Sequence, residues 1–279
     1  MAALAVIASV RASGPPVKAD SCFPVEGLPT EDRLEAEELF LRILDSEGLY
    51  TVVGGIKPAS SGFVRFVLDA GAESLEPVDR ARRLLATFRC GDLVFATVHH
   101  FRRIYGQEGM GKGKRHYEGI VFAVEPLRRL VRLHEREFAL LGVSPHSHPM
   151  EVLMAVEYAN EPGRWRGYGR LFGFPPAAVA FFVEAGSLQQ SSGVFVKRRF
   201  VSLPTFERPD RGVVYAVAED AGESEDDLRL RRAVEGALAD YKARRERYIG
   251  PGKQGVTRLL RDWFCRGKKL CSLPAAPAN

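Results

Sequence analysis

Short strand-like segments in this chain come in pairs, and each pair gives way to a run with apolar residues at helical spacing. That alternation constrains the fold more than any other feature. A parallel sheet needs a long crossover between successive strands, whereas strands joined by short links pair as antiparallel hairpins. Thr30 is expected to cap the first helix, with Glu31 and Asp32 in its first turn, Leu34, Phe40, Ile43 and Leu44 inward, and Gly48 at its end. Residues 50–53 and 63–68 read as a strand pair joined through Gly54-Gly55 and a short loop. Residues 77–88 form a second helix on Val78, Ala81, Leu84, Leu85 and Phe88. Strands over 93–105 and 117–124 flank the glycine-rich segment 106–114. Helices follow over 126–141 and 149–159, then an arginine- and aromatic-rich loop, then a helix opened by Pro175-Pro176. Residues 193–203 and 212–217 make the last strand pair.

The C-terminal third is the most explicit. Ser224 before Glu225-Asp226-Asp227 marks a helix start, with negative charge at the positive end of the helix dipole. This helix runs to Ile249 and stops at Gly250-Pro251. A final helix carries Val256, Leu259, Leu260, Trp263 and Phe264 as one apolar stripe, which reads as core packing. The fold class is therefore α+β: a mixed, mainly antiparallel sheet built from strand pairs, helices packed on it, and two C-terminal helices. Residues 29–271 are expected to form one domain, with a leader and linker over 1–28 and a flexible tail over 272–279.

Composition narrows the function classes. Of 279 residues, 46% are hydrophobic and 27% charged, which excludes collagen, coiled coil and wholesale disorder. No stretch approaches the roughly 20 apolar residues of a membrane span. The net charge of +5 is local: residues 242–271 carry +8, so the rest of the chain is mildly acidic at −3. Without exposed aromatics interleaved among those cations, nucleic acid is not the expected partner. An apolar run over residues 2–10 and the small-residue pattern Val17-Lys18-Ala19 fit a signal peptide, although no positive charge precedes the run. Export, periplasmic or secreted, is thus slightly favoured over a cytoplasmic location. Cys22, Cys90, Cys265 and Cys271 allow two disulfides in three pairings, with a local clasp between Cys265 and Cys271 as one option.

Three segments suggest chemistry. Residues 106–113 nearly match a phosphate-binding loop, but Gly113 replaces the magnesium-binding hydroxyl and a strand follows instead of a helix, so a hairpin loop is expected. His146-Ser147-His148-Pro149 places two imidazoles on one side of an extended segment, a way to hold a metal such as zinc, with Glu151 as third ligand or catalytic base. The tetrapeptide resembles the HxHP core of the JAMM/MPN metalloproteases. That family continues with Ser and Asp where this chain has Glu157 and Asn160, and the resemblance covers four residues. The plainer alternative is an ordinary loop with Pro149 opening a helix. Arg164, Arg166, Tyr168 and Arg170 gather guanidiniums among aromatics, suited to a carboxylate or phosphate group, or else simply stacked on a surface loop. His99 and His100, adjacent in a strand, are expected on opposite faces. The leading expectation is a protein that binds a small anionic or polar ligand near residues 146–170. Its alternatives are a metal-dependent hydrolase using the HxHP site, and a structural or partner-binding protein whose basic C-terminal helices contact an acidic surface.

Overall fold

The computed structural model describes residues 22–53, 55–100 and 113–265. The apolar run expected to be a signal peptide, Gly54, residues 101–105 of the second expected strand, nearly all of the glycine-rich segment, the expected Cys265–Cys271 clasp and the tail lie outside the described residues. In chain order the elements are α1 (Thr30–Asp45), α2 (Gly48–Val52), β1 (Ala59–Asp69), α3 (Glu76–Ala86), β2 (Leu93–His100) and β3 (Lys114–Ala123). Then come α4 (Val124–Leu133), α5 (Glu135–Leu140), α6 (Pro149–Tyr158), α7 (Glu161–Leu171), α8 (Pro176–Ser192), β4 (Arg198–Leu203), β5 (Val213–Ala218), α9 (Glu225–Tyr248) and α10 (Gly255–Cys265). The fold is α+β, with two antiparallel sheets and two C-terminal helices.

One sheet has the order β1-β3-β2 and the other pairs β4 with β5. Because β3 is central, it needs apolar groups on both faces, and the run Tyr117–Ala123 is buried throughout. One face of this sheet, with Phe63, Val121 and Ala123, packs into a core shared with α1, α2, α3, α9, α10 and the two-stranded sheet. The other face, with Ile120, Phe122 and Val98, packs on α4, α5, α6 and α7. No helix among the described residues is long and apolar enough to cross a membrane.

Several expectations need correction. Residues 50–53 belong to helix α2 and its C-cap, not to a strand, and β1 pairs with β3 instead. Every residue of α2 is buried, so the strand preference of Tyr50, Thr51 and Val52 yields to packing on all sides. Helix α1 has Pro29 rather than Thr30 at its N-cap and ends at Asp45, ahead of Gly48. Leu34 is 57% exposed, while Phe40, Ile43 and Leu44 are buried as expected. The helix expected over 126–141 breaks at His134 (φ −118°, ψ 33°), whose carbonyl accepts from the amides of Glu137 and Phe138 to start α5. The bend keeps Phe138 in the core and carries Glu137 over α7. The arginine- and aromatic-rich segment is a helix, α7, rather than a loop.

The packed chain also begins before Pro29. Cys22, Phe23 and Val25 are buried, and Cys22 is disulfide-bonded to Cys90. Trp263 and Phe264 are half-buried against the core rather than enclosed, while Val256, Leu259 and Leu260 are fully buried. Much of the C-terminal positive charge is spent internally. Arg244 is buried between Asp240 and Asp262 with Trp263 below it, and Arg245 bonds both oxygens of Asp45 at 2.9 and 3.0 Å. Arg261 donates to the carbonyls of Cys22 and Phe23 and pairs with Glu26. These arginines join elements of the fold, which weakens the case for a basic docking surface.

Candidate functional site

Helix α7 organises the region where the sequence concentrates its polar groups. Asn160 caps it, its side chain accepting from the amide of Gly163 at 2.9 Å, and Pro162 sits in the first turn. Its glycines serve packing: a Cβ on Gly167 would lie 2.6 Å from Val156 of α6. Gly186 of α8 admits the Trp165 ring in the same way, with only 2.5 Å available to an added Cβ. Three helices thus approach closely enough to leave clefts on either side of α7.

Helical spacing then separates the four residues expected to act together. Arg164 and Tyr168, four residues apart, face the larger cleft, whereas Arg166 and Arg170 face a smaller one. A loop would have allowed all four to converge, but a helix cannot.

The larger cleft, about 630 Å³, lies between the two sheets and is roofed by α7 and α8. Its walls include Trp165, Phe172, Phe174, Phe182, Phe200 and Tyr215. Two buried carboxylates anchor its polar end. Glu157 of α6 is 1% exposed and accepts from Arg164 Nε at 2.9 Å and from the Tyr168 hydroxyl at 2.7 Å. Glu118 of β3 is 5% exposed and accepts from Arg65 Nε at 2.8 Å, while His100 Nε2 lies 3.2 Å from its other oxygen.

The sheet register explains the second group. Arg65 is directly opposite Glu118, and His100 is opposite His116, so all four share the face toward α6 and α7. His99 takes the other face and stacks on Tyr117 at 4.6 Å, as strand alternation requires. Burial acts most strongly on the Glu118 carboxyl and would raise its pKa, but His100 and Arg65 together hold it below the usual value. Burial and the neighbouring Glu157 keep the Tyr168 hydroxyl protonated well above the usual phenol range.

Arg198 of β4 differs from the other guanidiniums of this cleft. Its Nε donates to the Val196 carbonyl at 3.0 Å and its head lies 4.5 Å from the Phe195 ring centroid. Its Nη2 is buried with no acceptor, and no carboxylate stands within ion-pair distance among the described residues.

The smaller cleft, about 390 Å³, lies on the opposite side of α7 and is lined by Arg129, His134, Arg166 and Arg170 together with the first turns of α8. Arg170 is held by Glu137 of α5 through both carboxylate oxygens. Burial, reinforced by the charge of Arg170, pushes the His134 imidazole toward its neutral form.

The HxHP segment serves local structure. His148 is the N-cap of α6: its Nδ1 accepts from the Met150 amide at 3.3 Å, and its own amide donates to Glu151 Oε2 at 2.9 Å. This reciprocal capping box gives His148 and Glu151 a structural role at the start of α6. His146 precedes it in a turn, and no group of three potential metal-ligating side chains occurs among the described residues.

The residues that sequence reasoning missed are Glu118, Arg65 and Arg198, while Glu157 was noted only as a departure from the HxHP family pattern. One signal was available for the two acids: each is a lone carboxylate in an otherwise apolar stretch, Tyr117–Ala123 in β3 and Val152–Ala159 in α6 and its C-cap. Comparison with family models, curated proteins and solved structures finds no match to this chain, so the functional conclusion rests on geometry.

Proposed function

We propose that this protein binds a small organic molecule with a flat apolar body and an anionic head, in the larger cleft between the two sheets. The observation that carries this reading is an aromatic-walled cleft of about 630 Å³ whose fixed charges are matched in pairs except at Arg198. Ligand sites commonly measure roughly 300–1,000 Å³, with apolar walls and a few placed polar groups. Arg65 answers Glu118 and Arg164 answers Glu157, so these four contribute little net charge. Arg198 remains as the cation whose donor lacks an acceptor, and a ligand carboxylate would supply one. Phe200, 66% exposed at the edge of the cleft, offers a surface for an apolar body.

Trp165 lines the cleft, and the chain has only two tryptophans. In a Trp263→Phe background, Trp165 emission therefore reports on occupancy. Three probes of one shape separate the contributions: 3-phenylpropanoate, its neutral amide and 3-phenylpropylamine. The carboxylate is expected to bind best and the ammonium worst, and Arg198→Gln to weaken the carboxylate about tenfold. That is one charge-assisted hydrogen bond at about 1.5 kcal/mol. If no probe changes the emission saturably, or the ammonium binds best, the reading fails.

The Cys22–Cys90 disulfide supports an oxidising compartment, and export is the location that accompanies this function. Thiol labelling of protein taken directly from its source cells distinguishes the two locations, since a cytosolic protein would present both cysteines reduced.

A further inference from the structure

We propose that the smaller cleft is a second, separate binding site, for a phosphate-type oxyanion. Three guanidiniums line it, from Arg129 of α4 and from Arg166 and Arg170 of α7, and no carboxylate is among the described residues that line it. Among the described residues, only Arg170 of the three has a carboxylate partner, Glu137 of α5. Arg129 and Arg166 have none within ion-pair distance among the described residues. Glu125, whose carboxyl feels the charge of Arg129, is itself engaged by Arg128 at 2.8 Å and lies 3.9 Å from Arg132.

Three guanidiniums against one carboxylate leave two positive charges around a concave space. A phosphate group near neutral pH carries about −1.5 to −2 and three acceptor oxygens, so it balances that excess where a single carboxylate would meet only half of it. Helix α7 sets the geometry: Arg166 and Arg170 are one turn apart on the same face, while Arg129 reaches in from α4. Planar guanidiniums offer two-point contacts to such an anion from several directions. The positive end of α8 contributes in the same sense, because its first turn has no acidic residue and Pro175 gives it no side-chain cap. The site shares no charged residue with the larger cleft, so the two proposals stand or fall independently.

Titration calorimetry with inorganic phosphate and with pyrophosphate tests the assignment, at constant ionic strength maintained with chloride. Saturable binding near one anion per chain is expected, tighter for pyrophosphate than for phosphate. Arg166→Ala should weaken it at least tenfold. Arg166→Lys, which keeps the charge but loses the planar fork, should weaken it by a smaller factor. Arg132→Ala removes an exposed cation of the same helix as Arg129 without touching the cleft, and should leave affinity within twofold. A cooperative melt for each variant separates lost binding from lost fold. Absence of saturable heat with both anions overturns the proposal. So does binding that survives Arg166→Ala and Arg129→Ala, or that falls equally in Arg132→Ala, since either result places the anion elsewhere or makes it a diffuse charge effect.

Discussion

Glu118 shows how a carboxylate can be kept ionised in the interior. Its burial alone would favour the protonated form, yet Arg65 and His100 reverse that preference. Removing charge from one partner of a buried pair is costly because the other is left without compensation. Glu118→Gln preserves shape while removing the charge, and should lower stability by about 1–3 kcal/mol near pH 7. The pH dependence has a definite sign. The carboxyl titrates lower in the folded protein than its ordinary value of 4.5, so its stabilising contribution is present above that value and is lost as pH falls through the folded pKa. Urea unfolding of both proteins between pH 7 and pH 3 should therefore show a gap that is full at pH 6 and narrows below about 4.5. A gap of constant size across this range would mean that the Arg65 and His100 contacts do not hold the charged form.

At the scale of elements, α7 matters because it divides space. Its outer faces bear different arginines, while the glycines of α7 and α8 permit the close approach that puts a cleft on each side. Gly186→Ala tests this packing. Alanine favours a helix over glycine by roughly 0.5–1 kcal/mol. Here, however, its Cβ would stand 2.5 Å from the Trp165 ring, which is itself buried and meets Phe182 edge-on. Overpacking costs about 1–3 kcal/mol, so a net loss of stability is expected, with a changed Trp165 emission maximum. A stabilised variant with unchanged emission would show that α7 and α8 are not packed this tightly. The same helix illustrates what the sequence made legible. Helices α3 and α9 could be read because an apolar stripe or a charged capping box repeats a surface helix's asymmetry. Helix α2 is five residues long and buried on every side, so it has no stripe to read. In α7 the signal was obscured by Gly163, Gly167 and Gly169, residues that suggest a loop when their close neighbours are unknown. The cleft itself was half-visible: Arg164 and Tyr168 were identified, but Glu118, Arg65 and Arg198 come from strands whose register only the fold supplies.

Across the whole molecule, the segment around Cys22 is held from two directions. Cys22 is bonded to Cys90, just before β2, while Arg261 of α10 clasps the carbonyls of Cys22 and Phe23. Phe23 sits between Phe40 and Phe264, with ring centroids at 5.1 and 5.5 Å, so an early stretch of chain becomes part of the core beneath the last helix. The disulfide spans 68 residues, and closing a loop of that length in the unfolded chain corresponds to about 4 kcal/mol in the chain-entropy picture. Neither Cys22 nor Cys90 is among the residues that line the larger cleft. A Cys22→Ser/Cys90→Ser double variant should consequently lose up to about 4 kcal/mol of stability. Its urea dependence should steepen, because the unconstrained unfolded chain exposes more surface. Binding of 3-phenylpropanoate, measured by Trp165 emission well below the new unfolding midpoint, should remain within twofold of the parent. If affinity collapses while the protein is still folded, the disulfide acts on the cleft and not only on the unfolded state; if midpoint and slope are both unchanged, the Arg261 clasp and the packing of Phe23 are sufficient to hold the segment without it.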